Sequence, residues 1–194
     1  MAYILGISGS PKRGGITERL LDSSLEGAKA SGGRVEKIIL NDLNFKPCQE
    51  CGDDRETGTC ELDDDMQLIY KKFDEASGLV IASPIFFGSV SAQLKMMIDR
   101  FQSAWVKKYV LKTKPLCEKR RKGIFLCVGG HDRKEYFDNA KQIIKILFMT
   151  LDIEYINGLF YGGYNIHAKD LEKTEVMLKK AFELGKDLAK ELKE

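Results

Sequence analysis

Apolar residues fall along this chain in two rhythms. Short, nearly unbroken β-branched runs occupy residues 3–7, 35–40, 79–82, 124–128 and 153–156. Each has the length and composition of a strand. The central runs lack the alternation of a half-exposed strand, as expected of a parallel sheet covered on both faces. Between them apolar positions recur at helical spacing. One stripe holds Leu21, Leu25 and Ala28, and another Leu94, Met97, Ile98, Phe101 and Trp105. A third holds Tyr136, Ala140, Ile143 and Leu147, and a last one Leu171, Leu178, Phe182 and Leu188. All four read as sheet-facing core. The alternation predicts an α/β fold, a doubly wound five-stranded parallel sheet with helices on both faces. No repeat or linker divides residues 1–194, so a single domain is expected. Two connections exceed ordinary loop length, residues 41–63 and 106–122, and the first carries a cysteine-containing insertion at about 45–63.

Bulk properties narrow the range of functions. The chain is 43% hydrophobic and 31% charged, which suits a soluble globular domain. No apolar run approaches the roughly 18 residues that a bilayer span needs. The start, Met1-Ala2-Tyr3-Ile4, lacks the basic segment and cleavage site of a leader, so a cytoplasmic location and no membrane role are expected. A net charge of +2 is too small to imply a polyanionic partner. Lys107, Lys108, Lys112, Lys114, Lys119, Arg120, Arg121 and Lys122 read as a solvated basic segment, and no nucleic-acid partner is expected. Five cysteines, an odd number, argue against a complete disulfide framework.

The chemistry gathers where strands run into loops. The first is Ile7-Ser8-Gly9-Ser10-Pro11-Lys12-Arg13-Gly14-Gly15-Ile16-Thr17, a strand entering hydroxyls and glycines ahead of an amphipathic helix. Small residues admit an anion to the backbone N–H groups, and the helix N-terminus adds positive potential. Two common glycine-loop readings fail: no Lys-Ser or Lys-Thr follows Gly14, and Gly6 and Gly9 are wrongly spaced for a dinucleotide fingerprint. Loop hydroxyls better suit a terminal monophosphate. After strand three comes Ser83-Pro84-Ile85-Phe86-Phe87-Gly88-Ser89-Val90-Ser91-Ala92-Gln93-Leu94-Lys95, whose paired aromatics could wall a flat ring or simply anchor the loop. After strand four, Gly129 and Gly130 expose backbone donors for a ring's carbonyl edge. In an open parallel sheet these loops meet beyond the strand C-termini, where strand order reverses.

Together these stretches resemble the NAD(P)H-dependent FMN reductases, and within them the branch of iron–sulfur flavoproteins. The likeness extends through Pro47-Cys48, Gly58-Thr59-Cys60 and Asp63-Asp64-Asp65-Met66. It implies a flavodoxin-like sheet of order 2-1-3-4-5 and bound FMN. By the same resemblance Ser8, Ser10 and Thr17 supply phosphate hydroxyls, Lys12 stands where arginine is usual, and Pro11 shapes the turn. Pro84, Ile85, Phe86, Phe87, Gly88 and Ser89 match the flavin-ring loop, and Gly129 and Gly130 the third flavin loop. Ile16 departs from the Asn or Ser usual there and cannot donate a side-chain hydrogen bond. The resemblance also implies NAD(P)H as co-substrate and a quinone, free flavin, metal ion or iron–sulfur acceptor, in a homodimer or homotetramer. Two other classes compete, a one-electron carrier and a redox-sensing flavoprotein with little turnover. Hydride transfer to a flavin requires no side-chain acid or base, so no catalytic residue is assigned.

The insertion reads Pro47-Cys48-Gln49-Glu50-Cys51-Gly52-Asp53-Asp54-Arg55-Glu56-Thr57-Gly58-Thr59-Cys60. The iron–sulfur branch places four cysteines here. Cys48, Cys51 and Cys60 fill three of those places, and Asp54 stands in the other as a candidate fourth ligand. A carboxylate is a harder and poorer partner for iron–sulfur chemistry than a thiolate. Three readings stay open: a cluster, a zinc ion, and a metal-free loop whose thiols pack quietly or form a redox pair. The insertion is long enough to fold over the strand C-termini. Cys127, within strand four, reads as a small buried hydrophobe, and Cys117 draws no role. His131 and His167 are lone loop histidines with no visible catalytic partner.

Overall fold

A computed structural model describes residues 1–52, 54–113, 120–164 and 171–193. Five strands form the sheet: β1 (Tyr3–Ser8), β2 (Arg34–Ile39), β3 (Gly78–Phe86), β5 (Arg121–Val128) and β6 (Ile153–Tyr161). They pair in parallel in the order β2-β1-β3-β5-β6. A two-residue strand, β4 (Ser89–Val90), adds an antiparallel rung to the tip of β3. With β4 set aside, the order is the expected one. Side chains of β1, β3 and β5 alternate between two cores. Ile4, Val80, Ala82, Ile124 and Leu126 face α1 (Ile16–Ala30) and α7 (Leu171–Glu191). Leu5, Ile7, Leu79, Ile81, Phe125 and Cys127 face α3 (Met66–Glu75), α4 (Ala92–Arg100) and α6 (Lys134–Thr150), and a single turn, α2 (Asp54–Thr57), precedes α3.

The outer helices depart from their expected stripes in an instructive way. In α7 the buried face is Ala181, Gly185, Leu188 and Ala189, while Leu171 is exposed. The reason is a close approach of two helices. A Cβ on Gly185 would lie 1.8 Å from the Ser24 carbonyl oxygen, and one on Gly27 would lie 2.0 Å from that of Phe182. Small residues let the two backbones touch, so bulk is excluded from the seam. In α6 the buried face is Phe137, Ala140, Ile144 and Leu147 rather than the stripe through Tyr136 and Ile143.

Two strands outrun their apolar cores. β3 continues past Ala82 to Phe86 because Ile85 and Phe86 gain Val90 and Ser89 as partners. β6 continues past Ile156 through Asn157 and Gly158, and an irregularity between Gly123 and Ile124 in β5 absorbs the offset. The supposed loop at 106–122 is shorter than expected. Val106–Val110 forms a π-helical turn that continues α5 (Gln102–Trp105), and β5 starts at Arg121. Arg121 and Lys122 are therefore buried, not solvated. Arg121 donates from Nη1 to the Phe73 carbonyl at 2.8 Å and from Nη2 to that of Leu151, and Lys122 pairs with Glu191. Lys114, Cys117, Lys119 and His167 lie outside the described residues. Among the described residues no helix is long and apolar enough to cross a membrane.

Candidate functional site

The loop after β1 delivers unsatisfied donors to the sheet's C-terminal edge. Ser8 is buried at the strand end, and its Oγ has no hydrogen-bond partner. Helix α1 begins after Gly15 with no side-chain cap, so Thr17, buried in its first turn, is not the capping residue. The first amides of such a helix have no intrahelical acceptor. Ser10 folds the turn: its Oγ accepts from the Lys12 amide and donates to the Lys12 carbonyl, both at 3.2 Å. Gly14 has φ of +65°, which an L side chain adopts only with strain. Its amide donates to Glu18 Oε2 at 2.7 Å.

Ser10, Pro11, Lys12, Gly15, Ile16 and Thr17 form one side of a cleft of about 240 Å³. Pro84, Ile85 and Phe86 from β3, Val128 at the end of β5, Gly130 just beyond it, and Tyr164 beyond β6 form the other. Of the paired aromatics, only Phe86 lines the cleft. Phe87 and Gly88 both have positive φ, +50° and +74°, as in a type I′ turn, and Phe87 is fully exposed at the tip. Gly88 lies against Tyr136 and accepts at its carbonyl from Asn139, while Ser89 pairs with Phe86. These three residues stand outside the cleft wall. Gly129 also differs from expectation: its amide donates to the Tyr161 carbonyl at 2.9 Å, which leaves Gly130 as the glycine at the wall. His131 is exposed.

The cysteine segment forms a separate structure. Cys48, Cys51 and Cys60 line a cavity of about 30 Å³ with Arg100, Gln102 and Ser103, and it shares no lining residue with the cleft. A neighbouring cavity joins Gly58, Thr59 and Cys60 to Arg121 and Leu151, where β5 and β6 begin. This part of the segment thus lies toward the N-terminal edge of the sheet and does not fold over the strand C-termini as expected. Arg100 explains the placement. Its side chain is fully buried and grips Asp64 through two bonds, Nη1 to Oδ2 at 2.7 Å and Nη2 to Oδ1 at 3.1 Å. Nη1 also reaches the Lys46 carbonyl at 2.8 Å, and Nη2 reaches Cys60 Sγ at 3.3 Å. Burial opposes the charge on Asp64, but bonds from Arg100 and from the Lys46 and Met66 amides outweigh it and hold the carboxyl below its ordinary range. Among the described residues no three His, Cys, Asp or Glu side chains are arranged to hold a metal ion. The side chain of Asp54 lies outside the described residues. As placed, the three thiols do not fit a cluster. Cys127 is fully buried, and burial pushes its thiol far up.

Comparison with known proteins places this arrangement. The family described as NADPH-dependent FMN reductase matches residues 2–154. The chain belongs to that family. An iron–sulfur flavoprotein of Methanosarcina thermophila is 36% identical over 164 residues, 84% of this chain and 78% of that protein. Among solved structures, a flavone reductase superposes with a TM-score of 0.75 at 22% identity, covering 99% of this chain and 63% of that one. An NAD(P)H:quinone oxidoreductase from Methanothermobacter marburgensis gives 0.73 at 18% identity, with 96% and 98% covered. The fold is flavodoxin-like, and the chain is an FMN flavoprotein of the oxidoreductase class.

The residues present suit such a flavin. A phosphate monoester needs several donors: Ser10, Lys12 and Thr17 line one end of the cleft at the uncapped start of α1, whereas Ser8, buried at the strand end with its hydroxyl unpartnered, is not among the lining residues. Phe86 and Tyr164 give the other end apolar walls. Sequence reasoning missed Tyr164. Its only local signal is Gly162-Gly163 after a strand, and its position depends on a bond from its amide to the Gly129 carbonyl at 3.0 Å. It also missed Glu18, a buried carboxylate in the first turn of α1.

Proposed function

We propose that this chain is an NAD(P)H-dependent FMN oxidoreductase whose cleft at the C-terminal edge of the sheet holds the flavin. The observation that carries the reading is the uncapped N-terminus of α1 at the wall of the cleft, together with the buried Ser8 hydroxyl left unpartnered at the end of β1. An unsatisfied buried hydroxyl is costly unless a ligand completes it. Ser8, Ser10, Thr17 and the first amides of α1 bind the phosphate, Lys12 balances its charge, and Pro11 shapes the turn. Pro84, Ile85, Phe86, Gly130 and Tyr164 orient the ring and shield it from water. When bound, the flavin would supply the redox chemistry between NAD(P)H and a quinone, flavin, metal ion or iron–sulfur acceptor. A helix N-terminus facing a dianion also favours the full charge on the phosphate.

Anaerobic mixing of the flavin-loaded protein with NADH, and separately with NADPH, tests the reading. Bleaching of the flavin by either nicotinamide supports it. Bleaching only by a one-electron donor would leave an electron carrier. That second reading is favoured by the name iron–sulfur flavoprotein carried by the Methanosarcina relative. Iron and acid-labile sulfide accompanying FMN in anaerobic preparations would support it, and their absence after reconstitution would remove it. A cytoplasmic homodimer or homotetramer completes the proposal, and a monomer at micromolar concentration by sedimentation would contradict that part.

A further inference from the structure

We propose that Glu18 is the positioning residue of the phosphate loop, its buried carboxylate holding the Gly14 amide so that the loop keeps its receptive shape before any flavin arrives. The inference rests on the reading of this loop as the phosphate site. A carboxylate is otherwise misplaced there, because a buried negative charge repels a phosphate dianion. The surroundings show what it does instead. Glu18 is 6% exposed. Its Oε2 accepts from the Gly14 amide at 2.7 Å, closing the loop onto the first turn of α1. Its Oε1 receives Lys37 Nζ at 2.9 Å and Arg13 Nη1 at 3.3 Å.

Those partners tie the loop to the sheet. Lys37 stands on β2 and also binds Asp22, and Arg13 also pairs with Asp42 just beyond β2. Burial alone would favour the neutral acid, but the bonds from Lys37 and the Gly14 amide dominate and keep the group ionised below its ordinary range. The two cations offset the charge that would repel a phosphate. At Gly14 the demand is conformational: its φ is +65°, yet nothing lies within 4 Å of the position a Cβ would take. Ile16 sharpens the need for a fixed loop. Where it stands no side chain can donate, so backbone amides must be aimed correctly.

The two roles a carboxylate could play here have opposite signs. If Glu18 acts only through its charge, removing it tightens FMN binding. If it positions the loop, removing it weakens FMN binding and leaves riboflavin, which lacks the phosphate, unaffected. Titration of flavin-free protein with FMN and with riboflavin separates them. Glu18→Ala is expected to weaken FMN on the order of tenfold or more, the loss expected for a hydrogen bond to a charged group. Riboflavin should stay within about twofold. Glu18→Gln keeps an acceptor for the Gly14 amide and should bind FMN within about threefold of the wild type. Tighter FMN binding by Glu18→Ala, equal loss of both ligands, or a Gln variant as weak as the Ala variant would each overturn the inference. Should Glu18→Ala fail to fold, hydrogen exchange of the Gly14 amide in the flavin-free wild type decides. Slow exchange is expected, and exchange at the rate of an open loop contradicts the proposal. Failure of the wild type to bind FMN would instead sink the function proposed above, and the Gly14 exchange would still judge the role of Glu18.

Discussion

The loop after β1 and the cysteine segment after β2 are both rich in chemistry-bearing residues, yet the fold treats them in opposite ways. At the first, donors are left open: the Ser8 hydroxyl has no partner and the start of α1 has no cap. At the second, the charges are closed on one another. Arg100 directs its Nη groups at Asp64, the Lys46 carbonyl and Cys60, and Asp64 in turn accepts from the Lys46 and Met66 amides, so that only Nε of the guanidinium is buried without a partner. What separates them is where the open groups lie: a hydroxyl and a helix start beside a cleft in one case, a single nitrogen of an otherwise bonded guanidinium in the other. The β1 loop thus keeps donors open beside a cleft, and Arg100 ties Lys46, Cys60 and Asp64 together.

The contrast can be broken most forcefully at Ser10. Ser10→Asp sets a carboxylate against the phosphate, and unit charges about 4 Å apart repel by about 4 kcal/mol near a protein surface. Loss of FMN affinity by a hundredfold or more is therefore expected in a flavin-free protein that still folds cooperatively. Full FMN occupancy in this variant would show that the loop is not the phosphate site.

Arg100→Met should produce the reverse pattern. It leaves Asp64, with 13% of its side chain exposed, as a largely buried charge without its cation. Breaking such a pair costs about 3 kcal/mol, readable in urea unfolding of the flavin-free protein. FMN affinity should stay within a few-fold. A stable variant with weakened flavin binding would mean that the two regions are coupled.

Acid sharpens the same comparison. The folded Asp64 carboxyl titrates below its ordinary 3.8. The stability it confers is complete above that value and is lost as pH falls through the lower, folded one. Acid unfolding of the wild type should thus include a step below about pH 4. Arg100→Met should shift that step upward, and an unchanged acid limb would disconnect Asp64 from stability.

The smallest effect is expected at Cys51, which is exposed at the rim of its cavity. Cys51→Ser should alter stability by no more than about 0.5 kcal/mol and leave flavin content unchanged. A large loss of either would reveal a role for this thiol that its position does not show.

How much of this was legible in the sequence follows from the range of the interactions. The five strands of the sheet were readable because buried parallel strands advertise themselves as continuous apolar runs. The β1 loop was readable as a unit because Ser8, Ser10, Gly14 and Thr17 lie within one turn and its helix. What escaped depends on partners far along the chain. The run of β3 through Pro84 to Phe86 needs the Ser89–Val90 rung. Burial of Arg121 needs the carbonyls of Phe73 and Leu151. Tyr164 reaches the cleft through Gly129. Nothing in the local pattern of Cys48, Cys51 and Cys60 announces that an arginine some forty residues beyond Cys60 will draw the segment away from the strand tips.

The most direct measurement is a map of backbone amide shifts as FMN is added to the flavin-free protein. Large shifts are expected at residues 9–17, at Ile85 and Phe86, at Gly130 and at Tyr164, with residues 46–52 and 56–62 unmoved. Shifts centred on the cysteine segment, with the β1 loop undisturbed, would contradict the placement of the flavin in the cleft.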